Sequence, residues 1–279
     1  MIIREIACKS ILTRCGIPGV DYALNPYVGC QHGCIYCYAV FMRRFTGHRE
    51  AWGQFVDVRV NAPEVLAYQL KRARPGNVSL GTVTDAYQPL ERKYQLTRGC
   101  LQALLLYMNF PTTVLTKSAL VLRDLDVLRE MADVEVAFTI TTLDDVVRRV
   151  FEPLASPVRH RLEALARLHE AGIRTWVFFG PVLPGFSDSQ EAVDTMFATL
   201  AQTGVSHILV DTLNAKGGAW WKRLCAGLQS AYPDAEEQFR LALRDRQGYA
   251  RMLAQRVMRA AERNHVPFEL AFDICMETG

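Results

Sequence analysis

The chain has 279 residues, half of them hydrophobic and 22% charged, with a formal net charge of +3. That length buries a full core within one α/β domain of barrel type, and so small a charge neither demands nor excludes a nucleic-acid partner. No apolar run reaches the length of a membrane span, and Met1-Ile-Ile-Arg-Glu-Ile-Ala-Cys8 lacks the pattern of a signal peptide, so a cytoplasmic protein with no membrane partner is expected.

In chain order, a first strand is expected to run into Cys30. Short β-branched or apolar runs at 77–84, 112–116, 134–141, 173–182 and 205–211 read as further strands. Helical periodicity is clearest between them, at 96–108, 122–131, 157–171, 192–203 and 238–264. Gly172 and Gly204 fit helix stops, and Asp188 fits an N-cap. Alternation of this kind predicts a parallel sheet, and six βα units make a partial (β/α)6 TIM-like barrel with its ligand site at the carboxyl ends of the strands. Residues 1–219 are expected to form that barrel with an N-terminal extension. Residues 220–279 are expected to form a C-terminal helical appendage packed on it, with a late strand at 268–274, in one domain.

The run Asn25-Pro-Tyr-Val-Gly-Cys30-Gln-His-Gly-Cys34-Ile-Tyr-Cys37-Tyr-Ala39 spaces three cysteines as C-x3-C-x2-C with no fourth nearby. Three thiolates on one tight loop can hold three irons of a cubane [4Fe–4S] cluster and leave the fourth iron open to an outside ligand. Clusters that only carry electrons normally take four cysteines. A structural zinc site is the competing reading; it wants four ligands, and His32 is the available fourth. In a reducing compartment Cys8, Cys15, Cys100, Cys225 and Cys275 read as free thiols.

The triplet resembles the radical S-adenosylmethionine superfamily. With Tyr36-Cys37-Tyr38-Ala39, Gly81-Thr-Val-Thr84-Asp85, Thr116-Lys117, and Phe151-Glu152-Pro153 followed by Ser156-Pro157 and Arg161, the chain is similar to the branch of spore photoproduct lyase and "DNA repair photolyase"-type proteins. Singly these motifs are weak, and in one order at fitting intervals they are strong. The resemblance implies a [4Fe–4S] cluster on Cys30, Cys34 and Cys37, with S-adenosyl-L-methionine on the open iron. Reductive cleavage would give methionine and a 5′-deoxyadenosyl radical that abstracts a hydrogen atom from a substrate. It further implies cofactor contacts from Tyr36, Tyr38, Thr84, Asp85, Thr139 and Thr141, an ammonium from Lys117 for the methionyl carboxylate, and shielding of the cluster by Ile35. An electron donor such as flavodoxin or ferredoxin is implied as partner. Each position also has a plainer reading: core packing for the tyrosines, turn capping for Thr84 and Asp85, a solvated strand-end lysine, and a surface ion pair for Glu152 and Arg161.

One position departs from the branch. In spore photoproduct lyase a cysteine near the end of the second strand returns a hydrogen atom to the product radical, and Thr82 stands at the corresponding place here. An O–H bond is much stronger than an S–H bond, so Thr82 cannot serve, and the donor stays unassigned among Cys8, Cys15, Cys225 and Cys275. A damaged pyrimidine in DNA, a base in RNA, and a peptide or small metabolite are the open substrate classes. A non-catalytic metal-binding module is the remaining alternative. Arg43-Arg44-Phe45, His48-Arg49, Lys71-Arg72-Ala-Arg74, Arg148-Arg149, Arg251, Arg256, Arg259 and Arg263 are candidate phosphate contacts for DNA or RNA, or else parts of a solvated face. Trp220 and Trp221 read as core or lid, with base stacking as the alternative.

Overall fold

The structure, a computed structural model, describes residues 1–273. It opens with β1 (Ile2–Ile6), β2 (Leu12–Arg14), β3 (Tyr22–Leu24) and β4 (Tyr27–Val28), then a 3-10 helix at Tyr38–Phe45, β5 (Phe55–Arg59) and α1 (Ala62–Leu70). Next come β6 (Val78–Leu80), α2 (Glu91–Tyr94), α3 (Leu96–Leu105), β7 (Thr112–Thr116), α4 (Leu125–Glu130), β8 (Val134–Thr139), α5 (Asp145–Phe151) and α6 (Val158–Glu170). β9 (Arg174–Phe179), α7 (Gln190–Ala201), β10 (Ile208–Val210), α8 (Gly218–Gln229), α9 (Glu236–Arg244), α10 (Arg246–Asn264) and β11 (Phe268–Leu270) follow.

Strands β3, β6, β7, β8, β9, β10 and β11 lie side by side and parallel in that order, with β2 antiparallel on the β3 edge. β2 and β11 end the sheet unpaired with each other, so the barrel is open. The strands are β-branched or aromatic, as in Thr-Thr-Val-Leu-Thr of β7 and Val-Glu-Val-Ala-Phe-Thr of β8, which suits a pleated, half-covered surface. Leu80, Val114, Val136, Phe138, Val177, Phe179 and Ile208 pack outward against Leu101, Leu165, Leu168, Phe197, Leu200 and Leu253 of the helices. Each such side chain stabilises the fold by ~1.5–3 kcal/mol relative to exposure. Leu115, Trp176, Phe178 and Leu209 have the opposite pleat phase and stay half-buried on the concave face.

The six expected units are present, and β11 adds a seventh parallel strand. The strand expected to run into Cys30 stops at Leu24; Pro26 cannot donate to the ladder, and Tyr27–Val28 pair with β5 instead. The helix expected at 122–131 divides into a 3-10 turn at Ala119–Asp124 and α4. The helix expected at 238–264 breaks at Asp245, whose carboxylate accepts from Gly248 N at 2.8 Å and caps α10. Ser189 rather than Asp188 caps α7, accepting from Ala192 N at 3.1 Å, while Asp188 accepts from Gly185 N at 2.9 Å. Gly172 and Gly204 do follow α6 and α7 in the left-handed region, with φ of 78° and 74°. Of the late strand, β11 covers Phe268–Leu270, and Ile274 and Cys275 lie outside the described residues. A second sheet, ordered β1-β5-β4, escaped the sequence reading. α10 packs along α7 and β11 pairs with β10, so the segment after residue 219 contributes to the barrel wall. Among the described residues no helix is long and apolar enough to cross a membrane.

Candidate functional site

The loop carrying Cys30, Cys34 and Cys37 lies over the carboxyl ends of β6, β7 and β8. Gly29 sets its entry: with φ of 92°, a Cβ there would stand 2.4 Å from Phe55 O. Thr84 Oγ1 donates to Gly29 O at 2.6 Å, and Gln88 Nε2 donates to Thr84 Oγ1 at 3.1 Å. Gln88 Oε1 accepts from Gln31 N at 2.8 Å, tying the loop down again. Cys30 and Cys34 are buried and Cys37 is half-buried. Burial pushes the Cys34 thiol up to about 12 against the pull of Lys117, with Glu152 and Cys37 adding to the rise. Burial raises Cys30 too, with Asp85 and the other two thiols adding to the rise, and burial raises Cys37 against its backbone and cationic neighbours.

Three soft donors thus face one another in an enclosure that rejects free thiolates. A metal that takes up their charge fits such a set, and thiolate selects iron–sulfur clusters among the possibilities. Among the described residues no three His, Cys, Asp or Glu side chains converge on a single-ion site; a cubane takes one cysteine per iron and spreads its ligands. His32 is buried, and its Nδ1 stands 3.2 Å from Asp85 Oδ2, out of line for a hydrogen bond.

Asp85 accepts from Thr116 Oγ1 at 2.7 Å, Lys117 N at 2.8 Å and Tyr87 N at 2.9 Å. Burial alone would raise its carboxyl, but the His32 and Lys117 charges and these donors together hold it well below the usual range. Lys117 is half-buried, with Nζ 6.0 Å from the Tyr36 ring centroid and no ion-pair partner among the described residues. Desolvation pulls its ammonium down, yet the Cys34, Glu152, Asp85 and Cys37 charges outweigh it and raise it. The Tyr36 hydroxyl donates to Glu152 Oε1, which also accepts from Thr141 Oγ1 at 3.2 Å. Arg161 pairs with Glu152 Oε2 and donates to Thr139 O at 2.9 Å and Ser156 O at 2.8 Å. Both members of that pair are fully buried, so the surface reading fails. Tyr38 donates through its hydroxyl to Thr82 O, and Thr82 Oγ1 accepts from Asn25 Nδ2 at 2.9 Å.

All the sequence-derived positions therefore gather at one end of the sheet. Two groups of candidates do not. Arg148 is buried on Asp145 and on main-chain carbonyls, and His48 is buried between Glu50 and Asp57; neither is free for a phosphate. Cys8 belongs with Arg59 and Glu64, and Cys225 with Glu236, away from the loop. Sequence reasoning missed Gln88 and Arg223. Arg223 donates to Gly33 O and Trp52 O at 2.6 Å each and to Cys34 O at 3.4 Å. Trp220 Nε1 donates to Tyr36 O at 2.8 Å, so Trp220 is core, and Ile35 packs on Gly227. No local signal announces contacts this distant in sequence.

Residues 24–196 match the family model of the Radical SAM superfamily. An uncharacterized protein of Methanocaldococcus jannaschii is 30% identical over 235 residues, 84% of this chain and 85% of its own length. The radical SAM Nalpha-GlyT isomerase of Pseudomonas phage M6 is 25% identical over 198 residues, 70% of this chain but 40% of that one. A spore photoproduct lyase double mutant with bound AdoMet and dinucleoside spore photoproduct superposes with a TM-score of 0.71 at 17% identity, covering 97% of this chain and 81% of its own. The chain belongs to the radical SAM superfamily and has the fold of spore photoproduct lyase.

Proposed function

We propose that Cys30, Cys34 and Cys37 hold a [4Fe–4S] cluster, that S-adenosyl-L-methionine binds beside it, and that the substrate is a base within a nucleic acid. When bound, the cluster supplies the electron that splits the sulfonium into methionine and a 5′-deoxyadenosyl radical, the agent of hydrogen abstraction. The observation that carries the reading is Lys117: an ammonium without an ion-pair partner beside three thiols, raised by their charge, is a ready seat for a ligand carboxylate. Asp85 and Glu152 are saturated by protein donors and act as fixed counter-charges that orient Lys117 and Tyr36. Thr84 spends its proton on Gly29 O and keeps one lone pair for a ligand amino group. The concave face, with Leu115, Trp176, Phe178 and Leu209, excludes water from the space where a reactive radical would act.

The nucleic-acid preference rests on the 3-10 helix that follows the triplet. Arg43, Arg44 and Arg49 are exposed there, Phe45 is 66% exposed, and the Arg44 guanidinium lies 4.6 Å from the Phe45 ring centroid. Cation and ring together suit phosphate and base. The phage isomerase's printed substrate adds support.

Anaerobic reconstitution tests the cluster: iron and sulfide analysis with electron paramagnetic resonance should give one four-iron cluster per chain. A triple Cys→Ala variant that still holds it, or native protein that prefers zinc, overturns the reading. Reduced protein should then cleave S-adenosylmethionine slowly without substrate. Incubation with deuterated DNA, RNA, peptide and metabolite pools identifies the substrate by deuterium in 5′-deoxyadenosine; label from peptide alone rejects the nucleic-acid base.

A further inference from the structure

The turn at residues 51–54 lies against the cysteine loop with unusual closeness. Gly53 has φ of 89°, and a Cβ there would stand 2.9 Å from Gly33 Cα, so backbone meets backbone between the two segments. Arg223 fixes both at once through Trp52 O and Gly33 O. The Trp52 ring is held edge-on to Phe55, with centroids 5.8 Å apart, in a cluster that also contains Cys30, Cys37 and Ala39. Trp52 is 3% exposed, and its indole Nε1 is buried without an oxygen or nitrogen acceptor. A buried donor left unpaired costs about 1–3 kcal/mol, so a partner is expected where the N–H points. The sulfur it faces is that of Cys37, whose thiol its N–H pulls down against the effect of burial.

We propose that Trp52 donates an N–H···S hydrogen bond to Cys37 and thereby makes the cluster easier to reduce. The inference rests on the cluster reading above. A donor aimed at a ligating sulfur withdraws charge from the thiolate and favours the reduced, more negative state; hydrogen bonds to sulfur are among the settings of a cluster's potential. Trp52 is a positioning residue, reaching the reaction only through Cys37.

The test is a redox titration of reconstituted protein, followed by electron paramagnetic resonance of the reduced state. Trp52→Phe removes the donor, and β-(benzothienyl)alanine at the same position removes it while keeping the bicyclic shape. Both should load the iron and sulfide of the wild type and show the reduced-to-oxidised ratio at fixed poise lowered about tenfold, equivalent to 59 mV for one electron. An unchanged potential in the benzothienyl protein overturns the proposal, because packing alone then explains any effect of Trp52→Phe. Wild-type protein that takes up no four-iron cluster overturns this proposal together with its parent, and metal analysis shows it before any potential is read.

Discussion

Lys117 stands where β7 ends, and nothing among the described residues forms an ion pair with its ammonium. Lys117→Ala should weaken S-adenosylmethionine binding by about 1.5–3 kcal/mol, the worth of a charged hydrogen bond. Equilibrium dialysis on reconstituted protein checks this, and unchanged affinity returns Lys117 to the role of a solvated strand-end residue. Thr82 gives a second prediction. Its hydroxyl accepts from Asn25 and its carbonyl accepts from Tyr38, so it sits at the site without a hydrogen atom that a carbon radical can take. Purified protein should convert spore-type thymine dimer poorly, with adducts, and Thr82→Cys should raise the yield of thymine by chromatography. Efficient repair by the unaltered chain directs attention to Cys15, the thiol outside the triplet whose charge reaches Tyr38. The triplet, Lys117 and the Glu152–Arg161 pair were legible because each lies inside a compact motif. Trp52 and Arg223 were not, because a lone tryptophan and a lone helical arginine look like core and surface until the fold sets them on the loop.

Among the elements, α5 and α6 act as a splint for the fourth unit. Glu152, just past α5, and Arg161, in α6, meet in a fully buried pair that also grips Tyr36, Thr141 and the end of β8. Arg161→Ala leaves a carboxylate buried without its partner and should cost about 3–5 kcal/mol. Arg161→Met with Glu152→Gln should cost less, since no uncompensated charge remains; urea midpoints of the two proteins order them, and the reverse order contradicts the buried-pair account. Helix periodicity exposed α3, α6 and α7 in the sequence because their apolar stripes face one sheet. It overran at Asp245 and Asp124, where short polar side chains compete with the backbone and reset it. The β1-β5-β4 sheet stayed hidden because it pairs the start of the chain with a segment about fifty residues later, and pairing partners leave no local periodicity.

On the scale of the whole molecule, the open barrel leaves a lumen whose far wall carries Asp211, at the end of β10. Burial pushes its carboxyl up to about 6, with only Thr212 N to offset it. A carboxyl raised in the folded state binds protons more readily than in the unfolded chain, so this group's contribution to stability falls as pH rises from about 4 to 6 and stays low above. Asp211→Asn should therefore raise stability at pH 7.5 by about 1–2 kcal/mol, discounted for partial exposure, with the gain vanishing near pH 4. Urea midpoints at the two pH values decide it; an equal gain at both assigns the effect to packing.

The clasp of α8 on the cysteine loop also bears on how the protein is made. Tyr36 and the tryptophan that holds its carbonyl are 184 residues apart. At roughly 5–20 residues per second, synthesis leaves the loop without that clasp for about 10–40 s. During that interval the three thiols emerge ahead of the helix that will cover them, and an iron–sulfur donor can reach them from the side that α8 later closes. Loading of the finished chain must instead reopen three carbonyl contacts of Arg223. Cluster occupancy should accordingly be higher when iron and sulfide are supplied during synthesis than when they are added to the folded apoprotein.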